Sequence, residues 1–106
     1  MPWPTRYLAG HAVIVVSAPR RSVPVAKRST SFEPSVARAF GEVARALREE
    51  RGVAQDKFAL LADVDRSYYG KLERGERQPS LALLLRIAGA LELDGGELVA
   101  RVVAQL

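Results

Sequence analysis

Apolar residues recur at helical spacing through most of the chain from residue 34 onward. The first apolar stripe consists of Val36, Phe40, Val43 and Leu47. Its intervals of four, three and four residues place these side chains on one face of a helix. We expect this helix to start near Pro34, with Ser35 as its N-terminal cap, and to run to about Arg51. Its predicted role is that of a scaffold.

Two short helices joined by a tight turn are predicted next. The first covers residues 55–62, where Phe58 and Ala59 supply an apolar and a small side chain for close helix packing. Ala54 precedes this helix and cannot cap it through a side chain. Asp63 stands in the turn, and aspartate tolerates the left-handed backbone region better than most residues. We therefore expect an uncapped helix followed by a turn that closes with some strain.

The second helix of this pair carries its polar side chains on one exposed face. Asp65 is its expected N-cap, and Gly75 can end it with a positive φ. Tyr69 and Leu72 face the preceding helix. The opposite face consists of Arg66, Ser67, Gly70, Lys71 and Arg74. Arginine, serine and lysine provide the donors and acceptors that base edges and phosphates require, so the layout indicates a DNA-reading helix-turn-helix.

Two further apolar helices complete the pattern. Ser80 is the expected N-cap of the fourth helix. We assign its inner face to Leu81, Leu84, Leu85, Ala88 and Leu91. Leu83 and Ile87 flank this face and add more apolar surface than one small domain is expected to bury. Asp94 and Glu97 have the spacing of a capping box and predict the start of a last helix.

The last helix carries more apolar surface than its own packing requires. Its stripe consists of Leu98, Val99, Val102, Val103 and Leu106. Core packing accounts for Leu98 and Val102, whereas the remainder suits a dimer interface. A frayed or internally packed tail is the alternative. We assign the stripe to dimerisation and expect a homodimer.

Several motifs occur in a fixed order between residues 40 and 99. They are LREERGVAQ, the opening Asp65–Arg66–Ser67–Tyr68, LERGERQPSL and LLRIAGAL. This run resembles the phage repressor and Cro-like (XRE) helix-turn-helix family. The resemblance implies an all-α, compact, five-helix, lambda-repressor-like domain that binds operator DNA, usually as a dimer, with its third helix in the major groove. The stretch DRSYYGKLERGERQPS is more weakly similar to controller proteins of restriction-modification systems.

The resemblance also implies roles for individual residues. By position, Arg66, Ser67 and Lys71 match base-contacting sites. Tyr68 lies beside them, where it would touch a thymine methyl or a phosphate. Gln55 matches a glutamine that commonly holds a phosphate and supports the first reading residue. The loop that follows the DNA backbone is matched by Arg74, Arg77 and Gln78.

Three leucines fall where the family tends to be polar. They are Leu60, Leu61 and Leu83. If they face a protein partner, the same fold would serve as an interaction module, antitoxin-like or an adaptor, and this is our second hypothesis. DNA affinity that disappears when Arg66 and Lys71 become alanine would favour the regulator. Binding insensitive to both would favour the interaction module.

Composition narrows the remaining function classes. The chain has 106 residues, no cysteine and one histidine, His11. The chain therefore lacks the residues needed for disulfides, thiolate metal sites or histidine-based catalytic clusters. A phosphate-cradling glycine-rich loop is also missing, since Gly95 and Gly96 are better explained as a helix start. We expect no enzyme activity, no cofactor and no metal.

Charge divides the chain into two parts. The net charge of +4 combines +5 in residues 1–31 with −1 in residues 32–106, where 11 basic residues meet 12 acidic ones. We expect residues 1–33 to form a basic, poorly ordered extension with a strand-like stretch at 13–16, and residues 34–106 to form the helix-turn-helix domain. The extension either follows DNA phosphates or enters a minor groove, or has no role. The family resemblance implies that Glu73 pairs with an arginine inside the domain, for which Arg45 or Arg48 is available.

A membrane location is not expected. The apolar run at residues 12–16 is far shorter than the roughly 20 residues needed to span a bilayer. Arg20 and Arg21 follow it at once, which argues against a secretory signal. We expect a cytoplasmic, nucleoid-associated protein.

Overall fold

The computed structural model describes residues 31–106, which form five α-helices and no β-strand. They are α1 (Pro34–Glu50), α2 (Gln55–Ala62), α3 (Arg66–Glu73), α4 (Leu81–Ala90) and α5 (Gly95–Ala104). The all-α, five-helix prediction is confirmed. The expectations for residues 1–30, including the strand-like stretch, lie outside the described residues. Among the helices of residues 31–106, none is long and apolar enough to cross a membrane.

Helix α1 begins differently from the prediction. Its N-cap is Glu33 and not Ser35, and no side chain caps it. Pro34 takes the first helical position, where its fixed φ suits the helix and its missing N–H leaves no donor unsatisfied. The prediction of Ser35 as a cap was wrong because proline already starts the helix one residue earlier.

Side chains cap α3, α4 and α5 as predicted. Asp65, Ser80 and Asp94 each accept a backbone N–H from the first turn of their helix, at 3.1, 3.2 and 3.3 Å. The reciprocal half of the expected capping box at α5 is replaced by an ion pair, in which Arg101 contacts Glu97 at 3.1 Å.

The turn between α2 and α3 has the predicted left-handed residue. Asp63 has φ 58° and ψ 49°. The N–H of Val64 donates to the carbonyl of Ala59 at 2.9 Å and closes the turn. At the other end of α2, Ala54 provides no side-chain cap, as predicted. Tertiary packing and not capping therefore holds α2.

The core forms where the five helices meet. Helix α1 packs against α3 and α5, α2 packs against α3 and α4, and α4 packs against α5. The largest fully buried side chains are Tyr69, Phe40, Phe58, Leu72, Ile87, Leu91 and Leu98. Gly41 allows α1 and α3 to approach closely, because a Cβ atom there would lie 2.5 Å from the carbonyl oxygen of Glu73. Helix α3 is thus supported along one side.

The inner face of α4 is rotated from the predicted one. Ile87, expected at the flank, is fully buried, whereas Leu81 and Leu85, expected inside, are 71% and 52% exposed. Helix α4 meets both α2 and α5, so the buried arc is centred between these two neighbours. Leu98 and Val102 are also buried within one copy of the chain. These two belong to the core and are not available to the dimer interface to which the sequence assigned them.

Candidate nucleic-acid interface

Helix α3 rests on the domain through one face and presents the other to solvent. Tyr69 and Leu72 are fully buried. The ring of Phe58 on α2 packs against Tyr69 with ring centroids 5.2 Å apart. Because apolar contacts fix this face, the polar residues of the opposite face point outward, as predicted.

The N-terminus of α3 is organised by Asp65. Its carboxylate accepts the N–H of Tyr68 at 3.1 Å and the hydroxyl of Ser67 at 2.9 Å. These hydrogen bonds, first the one from the Tyr68 backbone, lower the pKa of Asp65. The hydroxyl hydrogen of Ser67 is therefore engaged, while its oxygen lone pairs remain free to accept.

An open recess of about 230 Å³ lies along α3. We call it the reading recess; it is lined by Gln55, Arg66, Ser67, Gly70, Lys71 and Arg74. The structure thus brings together predicted base-reading and phosphate-binding residues. Tyr68, Arg77 and Gln78 lie outside this lining.

Gly70 forms the floor of the reading recess, a role that the sequence did not reveal. A Cβ atom at this position would lie 3.2 Å from Nη1 of Arg74 and 3.5 Å from Oε1 of Gln55. The missing side chain keeps the recess open between these two residues. A glycine in mid-helix, where it costs stability relative to alanine, was the available signal.

A buried ion pair fixes α3 to α1. Arg48 and Glu73 are 8% and 7% exposed. Nε and Nη2 of Arg48 donate to the two carboxylate oxygens of Glu73 at 2.7 and 3.0 Å, and Nη1 donates to the carbonyl of Val53 at 2.8 Å. This confirms Arg48 as the partner of Glu73. Arg45, the alternative, pairs with Glu49 at 3.2 Å.

The same ion pair orients Gln55. Its Nε2 donates to Oε1 of Glu73 at 2.9 Å, which leaves its carbonyl oxygen directed toward Gly70. Burial by itself would raise the pKa of Glu73, but the hydrogen bonds from Arg48 and Gln55 outweigh burial and lower it. Glu73 is consequently an ionised carboxylate whose charge is matched inside the domain.

The loop after α3 turns sharply and lies against α1. Gly75 has φ 77°, as predicted, and a Cβ atom there would lie 3.1 Å from the Cα of Arg38. Nε of Arg74 contacts Oε2 of Glu76 at 2.8 Å. Arg77 is exposed and donates to the backbone carbonyl of Glu76 at 3.2 Å. The loop therefore presents Arg74 and Arg77 from a fixed position.

Gln78 makes contacts that the sequence did not predict. Its Oε1 accepts the N–H of Glu33 at 2.9 Å, and its Nε2 donates to the carbonyl of Ser31. We call this pair of hydrogen bonds the Gln78 clamp. The clamp leaves one amide hydrogen of Gln78 free to donate to a phosphate. The phosphate contact assigned to Gln78 stays a prediction.

Part of the α5 stripe remains exposed. Val99, Val103 and Leu106 are 42%, 59% and 66% exposed. They border an apolar groove of about 310 Å³ whose other lining residues include Val36, Phe40, Pro79 and Leu84. These three residues are the part of the predicted dimer interface that a second copy of the chain can reach.

Two of the three unexpected leucines are also exposed. Leu60 and Leu61 on α2 are 80% and 63% exposed, whereas Leu83 is half-buried. Leu60 and Leu61 therefore face away from the core. Their partner stays a prediction.

Residues 45–98 match the sequence profile of the family described as Helix-turn-helix, HTH_3. The match begins in α1 and ends in α5, so it includes the whole reading recess.

Similar proteins include regulators of two kinds. Control protein C.MunI of a Mycoplasma species is 38% identical over 60 residues, which cover 56% of this chain and 81% of that protein. The immunity repressor protein of Bacillus phage phi105 is 37% identical over 59 residues, covering 56% of this chain and 41% of the repressor. Among solved structures, the restriction-modification controller protein C.AhdI from Aeromonas hydrophila has 42% sequence identity and a TM-score of 0.56, covering 58% of this chain and 94% of its own.

Proposed function

The chain belongs to the HTH_3 helix-turn-helix family, and from that premise we propose that it is a sequence-specific DNA-binding transcriptional regulator. The reading recess carries the proposal, because it combines Arg66, Ser67 and Lys71 with Gln55 and Arg74 on one exposed surface. The similarity to a control protein and to an immunity repressor supports regulation of transcription. Repression by occupying a promoter requires no further surface, so we propose a repressor.

Base readout is assigned to the polar face of α3 in the major groove. The guanidinium of Arg66 can bind O6 and N7 of a guanine, and Lys71 can reach a guanine or a phosphate. Ser67 acts as an acceptor, because its hydroxyl hydrogen is donated to Asp65 at 2.9 Å. We therefore expect Ser67 to contact an adenine or cytosine amino group. Tyr68, half-buried beside these residues, contacts a thymine methyl or a phosphate.

Backbone contacts are assigned to the residues that flank α3. Gln55 is held in place by Glu73, and Arg74 and Arg77 are exposed on the loop that follows. Such contacts position a protein on the duplex and make its affinity depend on salt. Gln78 joins them only through its remaining amide hydrogen.

A two-fold dimer would place two copies of α3 in successive major grooves. Val99, Val103 and Leu106 are its proposed contacts, since they are the exposed part of an otherwise buried stripe. In a symmetric dimer of this kind, the half-sites lie about 34–36 Å apart. The operator should therefore be an inverted repeat with half-sites about one helical turn apart.

Selection from a random pool of double-stranded DNA tests this function. The full chain should enrich an inverted repeat, and Arg66→Ala or Lys71→Ala should abolish the enrichment. Arg86→Ala is the matched control, because Arg86 is exposed on α4 and contacts Asp63 at 3.6 Å outside the reading recess. Enrichment of the same repeat by Arg66→Ala, or no enrichment by the unsubstituted chain, would refute the proposal.

A protein-interaction module is the second candidate, favoured by the exposure of Leu60 and Leu61. Replacing both with serine should then abolish binding of a protein partner and leave DNA binding unchanged. A DNA affinity that Arg66→Ala and Lys71→Ala leave unchanged would also favour this candidate. In either case we propose a non-enzymatic protein located in the cytoplasm, at the nucleoid if it binds DNA.

A further inference from the structure

Glu76 holds one edge of an arginine that lines the reading recess. Nε of Arg74 donates to Oε2 of Glu76 at 2.8 Å, and Nη2 donates to Oε1 at 3.4 Å. The hydrogen bond from Arg74 lowers the pKa of Glu76, and the charges of Lys71 and Arg77 lower it further. Glu76 is therefore an ionised acid among the cations that the proposed function directs at DNA.

The backbone after α3 fixes the place from which the Glu76 side chain starts. The N–H of Gly75 donates to the carbonyl of Leu72 at 3.1 Å, and the N–H of Glu76 donates to the carbonyl of Lys71 at 2.9 Å. These two hydrogen bonds, together with the positive φ of Gly75, form a Schellman motif that ends the helix. Glu76 is consequently held beside Arg74.

The fork with Glu76 determines which edge of Arg74 faces the reading recess. An arginine has five N–H donors in a rigid, planar arrangement. Glu76 occupies the edge formed by Nε and Nη2, whereas Nη1 lies over Gly70, where a Cβ atom would be 3.2 Å from it. Oε1 of Gln55 lies 3.5 Å from the same point. Arg74 therefore presents its remaining donors beside Gln55, on the floor of the recess.

The pair of Arg74 and Glu76 is too exposed to contribute much to folding. Their side chains are 57% and 50% exposed. Exposed ion pairs add little to stability, because solvent screens them and two long side chains lose freedom. An acid at this place also repels the phosphates of a bound duplex. Orientation of Arg74 therefore explains Glu76 better than stability does.

An arginine without this restraint is free to follow any phosphate near it. Affinity that is independent of sequence comes mainly from lysine and arginine contacts to phosphates. Within residues 31–106, the other two cations of the reading recess, Arg66 and Lys71, make no ion pair, so Arg74 is the recess cation that a carboxylate restrains. Held by Glu76, Arg74 reaches a phosphate from one direction, which requires the duplex to lie against α3.

We propose that Glu76 is a positioning residue that raises the preference of the protein for its operator, by holding Arg74 in the orientation that fits a duplex bound against α3. The inference rests on the proposed function and adds to it a residue that discriminates against unrelated DNA. Without Glu76, Arg74 gains a phosphate contact on any duplex, whereas on the operator it keeps the contact that it already makes. Glu76 thus lowers the affinity for unrelated duplexes more than the affinity for the operator.

Titration of the full chain against the selected operator and an unrelated duplex, each at several salt concentrations, tests the proposal. Glu76→Gln should strengthen binding to both duplexes by removing a repulsive charge, and more so to the unrelated one, so the ratio of the two affinities should fall. On the unrelated duplex, the slope of log affinity against log salt concentration should become steeper by about 0.9, the contribution of one phosphate contact, while the operator slope stays unchanged.

Glu92→Gln is the matched control for the loss of one acidic charge. Glu92 contacts Arg51 at 3.4 Å in an exposed pair outside the reading recess. This variant should leave the affinity ratio and both salt slopes unchanged. The unfolding midpoint of Glu76→Gln should equal that of the unsubstituted protein, and a lowered midpoint would assign Glu76 to folding and overturn the proposal.

Adding Arg74→Ala separates orientation from plain charge repulsion. In that background Glu76→Gln should change both affinities alike and leave their ratio unchanged, because its effect on the ratio acts through Arg74. The same fall in the ratio with and without Arg74 would overturn the proposal, as would an unrelated-duplex slope that Glu76→Gln leaves unchanged. If the unsubstituted chain binds no duplex or prefers none, the proposed function itself fails.

Discussion

Replacing Glu73 with glutamine should destabilise the protein strongly while changing its shape very little. The change removes the partner of Arg48, a residue that is 8% exposed, and sets an amide donor against the N–H groups of Arg48 and Gln55. Breaking a buried ion pair by removing one partner costs about 3–5 kcal/mol. Helical domains of this size have a total stability of about 4–11 kcal/mol, at about 0.05–0.15 kcal/mol per residue. Glu73→Gln should therefore consume a large share of the free energy of unfolding.

Urea denaturation of the full chain, followed by its helical circular dichroism, measures this loss. Glu97→Gln is the matched control, since Glu97 pairs with Arg101 along α5 at 3.1 Å and does not contact the buried pair. Exposed pairs contribute about 0–1 kcal/mol, so this variant should stay close to the unsubstituted protein. A loss below about 1 kcal/mol for Glu73→Gln would refute the conclusion that the buried pair holds α3 to α1.

A double substitution separates stability from DNA binding. Arg48→Met with Glu73→Leu replaces both charges with apolar groups, which is often neutral or stabilising for a buried pair. The double variant should recover most of the lost stability. Its DNA affinity should stay reduced, because Gln55 loses the acceptor that orients its amide. Full recovery of DNA affinity would show that Gln55 needs no such support.

Four further predictions follow from the same structure. Gly41→Ala should destabilise the protein by about 1–3 kcal/mol through overpacking, because the new Cβ would meet the backbone of α3 at 2.5 Å. Gly89→Ala has open space around it and should stabilise the protein by about 0.5–1 kcal/mol. Thermal denaturation measures both changes. Gly70→Ala should leave stability nearly unchanged and weaken operator binding by narrowing the reading recess, as measured in a titration against labelled DNA. The lowered pKa of Glu73 means that its stabilising contribution is present above the pKa of an unfolded glutamate and is lost as pH falls through the folded pKa; Glu73→Gln should flatten this part of an acid denaturation profile. Val103→Asp should shift the protein toward the monomer in sedimentation and weaken operator binding in parallel.

The features predicted correctly from the sequence are those that short-range chemistry determines. Asp65 and Ser80 cap their helices because their side chains reach N–H groups three residues away. Asp63 adopts the left-handed conformation that its place between two helices demands. Such choices depend on a few neighbouring residues, so a single sequence is sufficient to predict them.

The features that the sequence did not predict depend on distant partners. Ile87 and Leu85 are both apolar and lie two residues apart, and only the positions of α2 and α5 decide which is buried. The partners of Gln78 lie 45 and 47 residues earlier, and glutamine has no spacing rule that would identify them. Helix packing therefore decides which apolar residues of α4 are buried, and long-range hydrogen bonds decide the partners of Gln78. The pattern of apolar and polar residues along the sequence predicts neither.

Electrostatics explain how a domain with a net charge near zero can present a DNA-binding surface. Residues 31–106 sum to −1, because the chain's +4 includes +5 from residues 1–30. Glu73 is neutralised internally by Arg48, and Glu76 compensates Arg74 on the loop. Two acidic residues at the C-terminal end of α3 are thus paired, while Asp65 caps the helix and Arg66 remains exposed beside it.

This distribution leaves positive charge available on α3 and its following loop. Of the eleven basic residues in residues 31–106, six contact a carboxylate. The five that make no ion pair there include Arg66, Lys71 and Arg77. Arg66→Ala should consequently abolish operator preference while largely preserving the salt slope, because Arg66 is proposed to contact a base and not a phosphate. The ratio of affinities for the operator and for an unrelated duplex, each titrated at several salt concentrations, measures both quantities. A ratio that Arg66→Ala leaves unchanged would refute the assignment of Arg66 to base readout.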